Sequence, residues 1–297
     1  MSRIHDALKR AEQERASSLG THAEPSLEQP VSTVPMPPLQ SPTGGGMPLA
    51  SDFSQDSLLA RVQPMAWSPD PTTMLFFQDD ETRLGTEEFR TLRSRLYQIR
   101  EKMPLKRLLV TSAMPKEGKS FVAANLAQVL VRQHGRRALV IDADLRNPGL
   151  HRHLGTTPAP GLSEYLMGEC DEFACMQRGS MENLFFLPAG RIVPGASELL
   201  ANGRLKLLLQ RVEPLFDWII LDSAPVIPVS DSTIVAGACD GVVMVVRAGV
   251  TPSPLAKRAR EEFPDKLLLG IVLNGTSTDN LSQSKYYYGE AVATSAR

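Results

Sequence analysis

A lysine and a serine directly follow a glycine in the segment Arg107–Ser120, RLLVTSAMPKEGKS, where a loop succeeds the apolar run Leu108, Leu109 and Val110. Strand, loop and Gly118-Lys119-Ser120 at the start of a helical stretch form the layout of a phosphate-binding loop, or P-loop. In such a loop, backbone N–H groups at a helix N-terminus surround a polyphosphate. Lys119 would then reach the β- and γ-phosphates, and the Ser120 hydroxyl would hold Mg²⁺. The pattern G-x-x-x-x-G-K-[ST] asks for glycine at 113, where this chain has Ala113. Gly118-Lys119-Ser120 alone is therefore a weak signal, and it needs carboxylates beside it to become a site for ATP and Mg²⁺.

Two apolar runs supply them. In ALVIDADLR, Asp142 and Asp144 end the run that follows the candidate P-loop helix; in WIILDSAP, four apolar residues end at Asp222. A lone aspartate at a strand end is most often a turn or cap residue. At the exit of a buried strand, however, an unpaired carboxylate is costly. Two such strands after a Gly-Lys-Ser loop, in this order, are poorly explained by coincidence.

The elements that must position these groups alternate. Short, branched, apolar runs at 107–112, 137–142, 184–188, 217–222, 241–247 and 267–273 read as strands buried on both faces. Helical stretches are expected at 83–102, 118–133, 161–168, 197–213, 230–238 and 253–262. The order predicts an α/β fold of the P-loop NTPase class, with a mostly parallel central sheet and helices on both faces. Ligands in such sheets sit at the carboxyl ends of the strands, where the 113–120 loop lies.

Upstream, residues 1–18 hold a short amphipathic helix with Ile4, Leu8 and Ala11 at helical spacing, readable as a frayed tail or as a docking helix. Residues 19–74, rich in Pro, Gly, Ser and Thr, read as a disordered linker. The folded domain is expected over 75–275 and a flexible tail over 276–297. The formal net charge of -1 gives no bulk electrostatic case for nucleic acid. The three cysteines, Cys170, Cys175 and Cys239, lack zinc spacing and read as thiols of a reducing cytosol. No apolar run approaches the ~20 residues of a membrane span.

Tyr286, Tyr287 and Tyr288 are three of only five tyrosines, and they sit in a polar tail where aromatic residues are uncommon. Read by themselves they are a small packed aromatic patch or a chance cluster. The twelve residues from Asn274 to Tyr286 span at most ~40 Å. That reaches a neighbouring subunit more easily than it folds back.

Taken together, Lys119-Ser120, Asp142 with Asp144, and Asp222 resemble the Walker A, A′ and B motifs of the bacterial tyrosine kinases, which are built on a P-loop ATPase fold. The resemblance covers about residues 75–290. Glu87-x-x-Arg90-x-x-Arg93 looks like that family's oligomerisation motif, and GLSEYLMG at 161–168 and SELL at 197–200 are similar to internal segments. The resemblance implies an ATP- and Mg²⁺-dependent tyrosine autokinase acting in trans within a homo-oligomer on Tyr286–Tyr288. Pro115, Lys116, Glu117, Gly118, Lys119, Ser120 and Phe121 would hold the nucleotide, and Asn274 would contact the adenine as in related ATPases. Ser120, Asp144 and Asp222 would hold the metal, and Asp142 would orient or deprotonate the incoming tyrosine hydroxyl. Arg146 stands open between a phosphate contact and a structural ion pair.

The same resemblance implies control of exopolysaccharide or capsule synthesis and activation by a membrane polysaccharide co-polymerase (chain-length determinant). It also implies reversal by a tyrosine phosphatase, no nucleic acid partner, and a cytoplasmic protein at the inner face of the plasma membrane through its partner. Two departures stand out. Lys116 replaces a family glycine, where a positive φ costs a lysine about 1–2 kcal/mol, and Ala224 replaces a commoner proline. A partitioning or septum-positioning ATPase switch is one alternative, although Met114 stands where those proteins carry a second lysine. A catalytically weak nucleotide-binding scaffold is the other.

Overall fold

Each apolar run of the sequence becomes a strand of one sheet. The computed structural model describes residues 54–77, 83–133, 135–264 and 267–276. Its strands are β1 (Gln63–Pro64), β2 (Arg107–Ser112), β3 (Ala138–Ala143), β4 (Gln177–Arg178), β5 (Leu184–Leu187), β6 (Trp218–Ser223), β7 (Gly241–Arg247) and β8 (Leu268–Asn274). They lie in the order β1-β4-β5-β3-β6-β2-β7-β8. All neighbours are parallel except β4 and β5.

Alternation along the central strands feeds two cores. Leu109, Ile141 and Leu221 join one face, with Leu166, Leu200, Leu208 and Val235 from the helices that cover it. Leu108, Val110, Val140 and Ile220 join the other, against Phe89 and Leu96 of the helix Thr86–Arg100 and Leu126 of the helix Lys119–Val131. That second helix is buried from Val122 to Val131, so it is apolar nearly all round. Its two buried amides face the chain segment that precedes the domain. Asn125 accepts the Leu75 N–H at 2.8 Å, and Gln128 accepts the Phe76 N–H at 3.2 Å.

The structure corrects several expectations. The region read as linker over 19–74 is packed from Ser54 onward. Gln55–Arg61 is a helix capped by the Ser54 hydroxyl, and Leu58 and Val62 sit in one core while Trp67 and Met74 sit in the other. The segment therefore wraps the β1 edge of the sheet. It escaped notice because its apolar residues are single anchors with no repeating period. The expected helix 197–213 is two helices, Ala196–Ala201 and Arg204–Val212, parted at Gly203 with φ 84°. A short helix, Leu150–Leu154, was not foreseen. Cys170 and Cys175, read as thiols, are joined in a disulfide, and Cys239 remains free. Residues 1–18 and the tail 277–297, with its tyrosines, lie outside the described residues. Among the described residues no helix is long and apolar enough to cross a membrane.

A chain beginning at residue 75 is expected to unfold several kcal/mol more easily than one beginning at 54, because about 2–5 kcal/mol attends each large buried side chain lost. Urea unfolding of the two forms measures the difference. Equal midpoints would return 54–74 to the linker.

Candidate active site

The carboxyl end of β2 runs into the phosphate-loop segment, whose start is tied down by backbone. The N–H groups of Val226 and Ile227, just beyond β6, donate to the carbonyls of Ser112 and Ala113 at 2.8 and 3.2 Å. Ala113 is buried and its φ is not positive, so alanine serves where the P-loop pattern has glycine. Two later positions do take positive φ, Lys116 at 65° and Gly118 at 93°. At Gly118 a side chain is excluded, since a Cβ would lie 2.1 Å from Asn274 Nδ2. Lys116 carries the left-handed strain expected of a lysine in a glycine position.

Past Gly118 the helix opens with Lys119 and Ser120, and its first N–H groups have no partner within the helix. The Lys119 ammonium turns back toward the sheet, 2.8 Å from Asp144 Oδ2 and 3.8 Å from Asp222 Oδ1. The parallel register of β3 and β6 sets Asp142 directly beside Asp222. These two carboxylates differ in their surroundings. Asp142 accepts the N–H groups of Gly149 and Leu150 at 3.0 and 3.1 Å, and that of Asp144 at 3.2 Å. Asp222 is buried with no backbone donor and no close hydrogen bond to either oxygen; its neighbours are the Lys119 ammonium and the Ser120 hydroxyl. Pro148-Gly149 after the A′ strand was the only sequence signal for the turn that holds Asp142.

Around this ammonium two of the aspartates are perturbed. Burial raises the proton affinity of Asp142, and the charge of Asp222 adds to it, carrying the pKa to about 8 against the pull of Leu150 N–H and Lys119. Burial also lifts Asp222, to about 6, although Lys119 opposes it. Burial by itself would lower the Lys119 pKa, but the charges of Asp222 and Asp144 outweigh it and keep the ammonium protonated beyond its ordinary range. Among the described residues no three His, Cys, Asp or Glu side chains form a metal cage.

Other expected residues fall into distinct places. Arg146 is structural: its guanidinium meets both oxygens of Asp231 at 2.7 and 3.1 Å and the Ser197 hydroxyl at 2.8 Å. Asn274 ends β8 and donates to the Glu117 carbonyl at 2.9 Å. Phe121 stacks edge-on to Phe89, with ring centroids 5.8 Å apart. Pro115 is exposed. Glu87 and Arg90 pair along their helix, while Arg93 donates to the Val129 carbonyl at 3.1 Å, so part of that motif joins the helix to its neighbour. Residues at the end of β7 and just beyond it were missed by sequence. The Thr251 hydroxyl donates to the Glu117 carboxylate, and Arg247 reaches the Lys116 carbonyl at 3.3 Å. Their one signal was a position at or just past the carboxyl end of a buried strand.

No family model matches the chain. It is 34% identical over 206 residues to the tyrosine-protein kinase YwqD of Bacillus subtilis, an alignment covering 69% of this chain and 86% of YwqD. The chain belongs to the bacterial tyrosine-kinase family. It is also 36% identical over 191 residues to the succinoglycan biosynthesis transport protein ExoP of Rhizobium meliloti, covering 61% of this chain and 24% of ExoP. Among solved structures, the kinase domain of the Escherichia coli tyrosine kinase ETK superposes with a TM-score of 0.62 at 30% identity, covering 67% of this chain and 78% of that one. The enzyme is therefore a protein-tyrosine kinase on a P-loop NTPase fold, with relatives in polysaccharide biosynthesis.

The raised carboxyl pKa values have a consequence for the nucleotide-free kinase. At Asp142 and Asp222 the folded state keeps protons that the unfolded one releases between the ordinary aspartate value of 3.8 and about 8. The stability these two groups contribute therefore falls as pH rises through that window, against the opposite slope of His151 and His153, whose proton affinity burial lowers. Asp222→Asn is expected to flatten that slope and to be the more stable protein at pH 8. Urea unfolding from pH 4.5 to 8 tests it, and parallel pH dependences for both proteins would contradict it.

Proposed function

We propose that this kinase binds ATP with Mg²⁺ at residues 115–121 and phosphorylates Tyr286, Tyr287 and Tyr288 of a neighbouring copy. The observation that carries this reading is the cluster itself. Lys119 stands among Asp142, Asp144 and Asp222, and the buried carboxylate of Asp222 has no close hydrogen bond, only the Lys119 ammonium at 3.8 Å and the Ser120 hydroxyl beside it. A buried carboxylate with free lone pairs beside a serine hydroxyl fits Mg²⁺, which takes one or two carboxylates together with waters and substrate phosphates rather than a protein-only cage. Bound there, the ion would neutralise charge on the phosphates and orient them.

The protein residues then have separate tasks. Ser120 and Asp222 would hold the metal, and Asp144 would support its shell while releasing Lys119 toward the β- and γ-phosphates. Asn274, already against the loop backbone, would face the adenine. Asp142 would take the tyrosine proton as the phenolic oxygen bonds to the γ-phosphorus and the bond to the departing ADP breaks. A raised pKa suits that work, because the acceptor phenol has a reference pKa of ~10. Carboxylate oxygens have spare lone pairs beyond the three backbone donors. Positioning and charge stabilisation supply most of the rate in such transfers.

Assembly through Glu87, Arg90 and Arg93 would bring one tail to the next site. The kinship with ExoP supports a role in exopolysaccharide or capsule synthesis or export. In that role a membrane co-polymerase would activate the kinase at the inner face of the plasma membrane, and a tyrosine phosphatase would reset it. Each phosphate adds about -1.5 to -2 charge, so a phosphorylated tail would be repelled from the acidic site. A slow, partner-dependent kinase is the second reading, favoured by the strained φ of 65° at Lys116.

Full-length protein given ATP and Mg²⁺ is expected to show phosphotyrosine within 286–288 by mass spectrometry, and Lys119→Met to lose it at least about a hundredfold, the scale of removing a principal charge-stabilising group. Mixing Lys119→Met with a copy whose three tail tyrosines are phenylalanine should restore phosphate on the Lys119→Met chain. No transfer in that mixture would contradict action in trans, and no phosphotyrosine in the wild type, even with the membrane partner added, would contradict tail phosphorylation.

A further inference from the structure

We propose that Thr251, acting through Glu117, is a positioning residue that holds the phosphate loop in its nucleotide-binding shape. Glu117 lies within the loop, yet its side chain points away from the cluster of aspartates into bonds that close the loop. The residue is 3% exposed, and a carboxylate so buried needs strong donors. Met114 N–H donates to Glu117 Oε2 at 2.7 Å, so the side chain folds the loop onto its own beginning. The Thr251 hydroxyl donates to the other oxygen, and Thr251 Oγ in turn accepts the Arg247 N–H at 3.2 Å. The relay therefore runs from the end of β7 through one hydroxyl to one carboxylate and into the loop.

Two more contacts reach the backbone of the same loop from the ends of β7 and β8. Arg247 Nη1 donates to the Lys116 carbonyl at 3.3 Å, and Asn274 Nδ2 donates to the Glu117 carbonyl at 2.9 Å. They flank the two positive-φ positions, Lys116 and Gly118. A non-glycine residue in the left-handed region persists when its surroundings over-determine it, and here the ends of β7 and β8 do so. Thr251 and Glu117 differ from the other two contacts because their bond is side chain to side chain and involves a buried charge. Removing the hydroxyl leaves Glu117 Oε1 with a lost donor, which the loop must relieve by opening toward water.

The proposal rests on the reading of this loop as the nucleotide site. Isothermal titration of the full-length protein with a non-hydrolysable ATP analogue and Mg²⁺ tests it, alongside the melting midpoint without nucleotide. Thr251→Val, which keeps the shape, is expected to weaken binding about tenfold or more, the scale of a hydrogen bond to a charged group. Thr251→Ser should restore affinity to within about threefold of wild type, since the hydroxyl returns. Glu117→Ala, which removes the other half of the contact, should resemble Thr251→Val. A merely structural threonine would lower the melting midpoint and leave affinity unchanged. Wild-type affinity in Thr251→Val, or equal losses in the valine and serine variants, would overturn the brace. Failure of the wild type itself to bind would overturn the nucleotide-site reading and the brace with it.

Discussion

Charge at the carboxyl edge of the sheet is out of balance, and the site is organised around that fact. One lysine ammonium faces Asp144 at 2.8 Å and Asp222 at 3.8 Å, with Asp142 in register beside Asp222 on the adjacent strand. Burial raises the proton affinity of Asp142 and Asp222, and one lysine stands against three carboxyl groups. A polyphosphate would worsen the imbalance unless a divalent cation arrived with it. The fold keeps this arrangement by geometry. Parallel strands fix the register of Asp142 and Asp222, and the helix that follows the loop sets Lys119 opposite them.

The loop that carries Lys119 is held rather than merely permitted. Its start hangs on backbone bonds from the chain beyond β6, and its turn is fastened to β7 and β8 through Arg247, Thr251 and Asn274. Lys116 sits at φ 65° inside that frame, which concentrates local strain in the segment proposed to wrap the phosphates. Ala113, by contrast, departs from the P-loop pattern without strain, because its backbone never enters the left-handed region.

Much of this was legible in the chain. The strands β3 and β6 are buried throughout and β2 from Leu108 onward, so their apolar runs had no competing explanation, and each ends in a carboxylate or loop of the candidate site. Lys119, Asp142, Asp144 and Asp222 followed from that placement. The helix Gln55–Arg61 was hidden because its neighbourhood is rich in proline and serine, and single anchors such as Leu58 and Met74 leave no periodic trace. The roles of Glu117 and Thr251 were hidden for a different reason. Their contact joins residues 134 positions apart, and only the assembled sheet brings β7 to the loop. Arg146 left two readings open, and the buried carboxylate of Asp231 decided for the structural one.

Anomalous diffraction from crystals grown with a non-hydrolysable ATP analogue and Mn²⁺ in place of Mg²⁺ tests the central claim most directly. The account predicts one strong peak at the Ser120 hydroxyl and the Asp222 carboxylate, directly or through a water, with Lys119 moved from Asp144 to the phosphates. A metal bound elsewhere, or the Lys119–Asp144 pair intact beside bound nucleotide, would contradict it.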